Sequence, residues 1–136
     1  MSFEYFLAPY DETILFLCRI LVGLIFLYFG WPKIKDLRKN AEHFSGMGFK
    51  PGIFWGTIVA LLEFFGGLAL IFGILPSLFA LLFVVHMLVG TAWKMFGTDK
   101  KFPDYSYDLT LLAILLLLLA FGNGWGVILE KTPMIA

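Results

Sequence analysis

Three residues carry chemistry where chemistry is expensive: Arg19, Glu63 and His86 each interrupt a long run of apolar side chains. An acid, a base and a guanidinium inside such runs face a bundle interior or a water-filled path, where they pair, relay protons or hold a polar ligand. At the edges of the runs stand Lys33 and Asp108, a candidate interface pair; Lys94 is a second candidate partner for Asp108, which as a helix-start acid would also suit the helix dipole. Other chemistries lack their residues. A b-type haem held within the chain needs two axial ligands, and His43 and His86 are the only histidines, His43 lying in a basic loop. The single cysteine, Cys18, cannot form an internal disulfide or a CxxC pair. No zinc-ligand spacing, phosphate loop or Ser/His/Asp arrangement is present, so no metal site is expected and the catalytic residues stay unassigned.

The elements that must position these residues are four apolar spans, near 13–31, 53–74, 78–96 and 105–121. Each has the length a bilayer crossing needs, roughly 17–25 residues. Pro32-Lys33 reads as the stop of the first span, Leu75-Pro76-Ser77 as a tight hairpin turn, and Gly122-Asn123-Gly124 as the last exit. Between the first two spans, Leu37, Ala41, Phe44 and Gly48 recur at helical spacing, which fits either a short interfacial amphipathic helix or an irregular basic loop. Arg19 shares a helical face with Gly23 and Gly30; Glu63 with Gly56, Ala60 and Gly67; His86 with Gly90 and Gly97. Faces rich in small residues are where membrane helices approach closely. At a rise of ~1.5 Å per residue the three polar groups lie ~10–15 Å into their spans. The economical arrangement is an Arg19–Glu63 ion pair with His86 beside it. Such a cluster serves either as polar glue or as a site for a headgroup, a quinone or a proton.

Composition agrees with that layout. Only 15% of residues are charged and 60% are hydrophobic, with mean hydropathy +0.89, so the surface is built for lipid tails. The expected fold is all-α, a polytopic transmembrane four-helix bundle forming a single membrane domain over 1–136. Zero net charge without a basic run excludes nucleic acid as a partner. The N-terminus has no basic stretch ahead of the first span, which is therefore expected to be retained. Eight lysines and arginines fall in the loops after the first and third spans, against Lys131 alone in the C-terminal tail. The positive-inside rule then puts loops 32–51 and 97–104 in the cytoplasm and both termini outside a cytoplasmic (inner) membrane. Trp31, Trp55, Trp93 and Trp125 fall near span ends, as an aromatic belt would.

The order of motifs resembles the DoxX-like family of four-helix membrane proteins. Arg19-Ile-Leu-Val-Gly23 followed by Phe29-Gly30-Trp-Pro-Lys33 resembles its first helix, and Phe44-x-x-Met-Gly48-Phe-x-Pro51 the loop entering the second. Glu63-Phe-Phe-Gly66-Gly67-x-x-Leu70-x-x-Gly73 resembles the glutamate–diglycine helix, and Tyr107-Asp108-Leu109 with Gly122-x-Gly124 the two ends of the fourth. Asn123 stands where a proline is common, and the tail near Glu130 lacks the usual Ser-x-Asp. The family includes a subunit of an archaeal thiosulfate:quinone oxidoreductase, a component of a bacterial oxidoreductase complex linked to oxidative stress, and eukaryotic assembly or trafficking factors. The resemblance implies an accessory or quinone-proximal subunit of a membrane oxidoreductase, without a covalent or metal-bound cofactor and with a quinone as its candidate ligand. Its partners would be the bilayer and other membrane subunits or further copies of itself. A small-solute carrier and a membrane-protein assembly factor are the alternatives.

Overall fold

The computed structural model describes residues 6–128. After a 3₁₀ turn at Ala8–Tyr10 come five α-helices: α1 Asp11–Lys35, α2 Leu37–Gly46, α3 Gly52–Phe72, α4 Pro76–Gly97 and α5 Phe102–Phe121. Among the described residues there is no strand, only an isolated bridge between Ile74 and Ile128. Four of the helices are long and apolar enough to cross a membrane. The fold is an all-α transmembrane bundle.

Each boundary has a local cause. Asp11 and Glu12 open α1 and Lys33 and Lys35 close it, complementing the helix dipole. Pro32 does not stop α1, which runs through it to Lys35. A membrane helix tolerates one missing N–H when neighbouring helices pack around it. Asp36 ends α1 and caps α2, its Oδ1 accepting from the Lys39 N–H at 3.1 Å. The loop is therefore helical. α2 buries Asn40 and Phe44 against α3, and Asn40 Nδ2 donates to the Gly56 carbonyl at 2.7 Å. At the α3–α4 turn Gly73 takes φ +74°, which glycine adopts without penalty, and Pro76 begins α4. Asp104 accepts from the Lys101 N–H at the start of α5.

The bundle is assembled from two closely packed pairs. α1 packs most extensively against α3, with α2 laid on α3, while α4 packs against α5. Gly23 and Gly67 set the first contact: a Cβ on either would fall 2.8 Å from the other's carbonyl oxygen. Two turns further along α1, Gly30 touches the backbone of Glu63 and Phe64. Between the pairs lies a core of Val22, Phe26, Leu70, Phe83, Met87 and Leu115, in which the Phe26 and Phe83 rings stack with centroids 3.7 Å apart. At the end of the bundle where α1 begins and α5 finishes, Ile128 bonds Gly73 and Leu75 through the backbone.

Candidate functional site

Antiparallel packing fixes which polar groups can meet. With Gly23 against Gly67 and Gly30 against Glu63, residue 19 lies opposite the far end of α3, near Gly73, roughly 15 Å along the helix from Glu63. The expected Arg19–Glu63 pair therefore does not form. Arg19 is buried, donates from Nη1 to the Asn123 carbonyl at 3.2 Å, and its guanidinium sits 5.2 Å from the Phe16 ring centroid. It ties α1 to the segment after α5. Asn123 continues that tie, donating from Nδ2 to Ser77 Oγ at 3.1 Å.

Glu63 is met instead by Lys33, because α1 extends past Pro32. Lys33 Nζ stands 2.6 Å from Glu63 Oε2, and His86 Nε2 stands 2.9 Å from Oε1. The Glu63–His86 half of the expected cluster is thus brought together, with Lys33 in the place given to Arg19. The candidate Lys33–Asp108 pair is not formed either: Asp108 Oδ2 is 2.7 Å from Lys94 Nζ. Lys94 and Asp108 sit on the adjacent helices α4 and α5, a shorter reach than across the bundle from α1. Each carboxylate is nearly buried and each lysine about two-thirds so.

Both ion pairs border one cavity of ≈ 670 Å³ at the loop end of the bundle. Its walls are mostly apolar, with Phe26, Phe29, Phe44, Met87, Trp93 and Leu111 among them. That size and polarity balance is typical of small-molecule sites. A lysine ammonium has three donors, and Lys33 uses one on Glu63, so others remain for an acceptor inside the cavity. Glu63 holds the ammonium and the imidazole on one wall, so a ligand there meets oriented donors on an apolar background. His43 also borders the cavity, from α2. Among the described residues no group of three or more His, Cys, Asp or Glu side chains could hold a metal.

Several contributors are not apparent in the sequence. Trp93 is no simple belt residue: its indole N–H donates to the Met47 carbonyl at 3.2 Å and latches the α2–α3 loop to α4. Tyr107 lines the cavity and meets Phe29 edge-on, centroids 6.0 Å apart. Lys33 had a readable signal, since Phe26, Gly30 and Lys33 follow at i, i+4 and i+7, but only for a helix that continues through Pro32. Gly90 and Gly97, which share a face with His86, do not seat a neighbouring helix: a Cβ on Gly90 would meet nothing within 4 Å, and one on Gly97 would meet only Trp93 of the same helix.

Known proteins resemble this chain in sequence. Residues 14–97 match the DoxX family. The Escherichia coli (strain K12) inner membrane protein YqjF is 40% identical over 117 residues, covering 84% of this chain and 88% of that protein. No solved structure matches.

Proposed function

The chain belongs to the DoxX family of integral membrane proteins, and from that premise we propose that it is an accessory subunit of a membrane oxidoreductase that binds a quinone in the cavity between its helices. The observation carrying this reading is the mostly apolar ≈ 670 Å³ cavity with the Lys33–Glu63–His86 cluster in its wall. A quinone has an apolar body and carbonyl oxygens that only accept hydrogen bonds. Lys33 supplies free donors to such an oxygen, and His86 an oriented ring, while the aromatic walls take the head. The chain supplies binding and orientation, and the electrons come from a partner subunit.

The test is purification in mild detergent followed by native mass spectrometry, with and without added decylubiquinone. The expected result is a fixed-stoichiometry complex with a redox subunit and a mass increment for quinone. A monodisperse chain with no partner and no quinone at saturating ligand would overturn the proposal.

We place the protein in a cytoplasmic (inner) membrane, supported by the YqjF relative, with both termini outside. The basic residues supporting this orientation lie in and around α2 and the α4–α5 loop. In a Cys18→Ser background, Asp11→Cys should react with an impermeant maleimide in intact cells and Lys39→Cys should not. Both side chains are exposed, so accessibility within the fold does not confound the comparison. The reverse pattern inverts the orientation.

A further inference from the structure

Gly90 looks in sequence like a helix-packing residue, and the structure gives it no helix to pack. α3 and α4 run antiparallel in the register set by the Glu63–His86 contact. On the terminal side of that contact they touch: a Cβ on Gly66 would fall 2.7 Å from the Phe83 ring. One turn to the other side, the same register sets Val59 opposite Gly90, and there a Cβ would meet nothing within 4 Å. The helices have parted. Val59, Val89 and Gly90 all line the cavity there, as does Trp55, and Val89 and Trp55 are also exposed on the outside of the bundle.

Contacts cross the edge of the cavity on two other sides. Toward the loop end, the Trp93 indole bonds the Met47 carbonyl and Phe49 lies against Trp93, centroids 6.4 Å apart. Between α1 and α5, Phe29 and Tyr107 meet ring to ring. Between α3 and α4, where Gly90 faces open space, lies a side window bounded by the Glu63–His86 contact and the Trp93–Met47 bond. From residue 86 to residue 93 it spans ~10 Å of helix. Its rim of Trp55, Val59 and Val89 is apolar, and Trp55 and Val89 are exposed where lipid solvates the helices.

We propose that Gly90 floors a tail subsite: the ligand's head sits at Lys33, Glu63 and His86, and one flexible apolar chain passes over Gly90 through this window into the bilayer. The inference rests on the quinone reading and names the part of the ligand that reading leaves undefined. It makes Gly90 the residue that selects for a chain-bearing ligand, since any larger side chain there occupies the passage and leaves the head position clear.

The experiment compares duroquinone, a head without a chain, with decylubiquinone, using tryptophan fluorescence quenching on wild type, Gly90→Phe and Val59→Trp in detergent. Both variants fill the window, from opposite walls, so the test survives if one of them does not fold; melting curves identify that case. Wild type is expected to bind decylubiquinone the more tightly. In either folded variant its affinity should fall about ten-fold or more while that for duroquinone stays within about three-fold, a loss on the scale of ~1.4 kcal/mol per decade. Decylubiquinone binding unchanged in the folded variants overturns the tail subsite and leaves the head site standing. Equal loss of both quinones also overturns it, because the residue would then not be chain-selective. Binding of neither quinone to wild type overturns the subsite together with the quinone reading.

Discussion

Replacing Glu63 by Leu is expected to destabilise the bundle by about 2–3 kcal/mol, measured as a shift in thermal or denaturant unfolding in detergent. Removing one member of a buried ion pair leaves the other without compensation, at a cost of roughly 3–5 kcal/mol. The lower figure applies here because the Lys33 side chain is 29% exposed and can swing toward the headgroups. His86 has no such freedom, being held inside the bundle with its side chain 18% exposed. The double variant Lys33→Met/Glu63→Leu removes both desolvation penalties and should recover most of the loss, giving a coupling energy of about 1–3 kcal/mol for residues in direct contact. Arg19→Met combined with Glu63→Leu should be additive within about 0.5 kcal/mol, since the two sites lie roughly 15 Å apart along the bundle. A strong Arg19–Glu63 coupling with none to Lys33 would overturn the helix register described above. The stable double variant also divides glue from site. Retained quinone binding would assign the pair to packing, and lost binding in a folded protein would assign it to the ligand.

What separates the readable from the unreadable part of this site is helix length. The apolar runs, the hairpin turn at Pro76 and the inward direction of Glu63 follow from local composition and small-residue spacing, and the structure contains them, whereas His86 reaches Glu63 although Gly90 and Gly97 on its face seat no helix. The partner of Glu63 depends on a sum over the chain: where α1 ends, and which residue of α3 its glycines touch. Taking Pro32 as the stop removes Lys33 from the bundle and leaves Arg19 as the cation at a matching depth. Extending α1 by four residues to Lys35 reverses that choice. Depth counted from span ends also fails for Arg19, because α3 continues beyond α1 at the loop end, where α2 covers it through Asn40 and Phe44.

The glycines show the same division. The sequence marks Gly23, Gly30, Gly66, Gly67 and Gly90 alike as small residues in apolar helices, and composition does not tell a contact from a void. Only the backbone of the facing helix does. Four of the bundle's ties have one end in a segment between or after the helices, where periodicity carries no information: Trp93 to Met47, Arg19 to Asn123, Asn123 to Ser77 and Trp125 to Thr13. Asn123 is instructive because it serves two of these ties. Its backbone carbonyl accepts from Arg19, a bond any residue could offer, while its side-chain amide donates to Ser77 Oγ, which is specific to asparagine's chemistry.

That division gives the largest expected effect in the molecule. Gly67→Leu should cost about 3 kcal/mol or more and impair accumulation of folded protein, at or beyond the upper range for overpacking a core. The reason is what surrounds the site. A Cβ on Gly67 would fall 2.8 Å from the Gly23 carbonyl oxygen and 2.9 Å from the Leu27 nitrogen, both backbone atoms of α1. No rotamer change can clear them, so α1 and α3 must move apart along the contact that also aligns Lys33 with Glu63. Gly67→Ala should already be harmful, although alanine is the better helix former by about 1 kcal/mol. At Gly90 the same substitution meets open space, so Gly90→Ala should be neutral or stabilising by up to about 1 kcal/mol. Opposite signs for one chemical change, read by melting temperature in detergent, test the helix register without reference to any ligand. A Gly67→Ala protein as stable as wild type would mean that α1 and α3 do not meet at Gly23 and Gly67, and the Lys33–Glu63 alignment would fall with that contact.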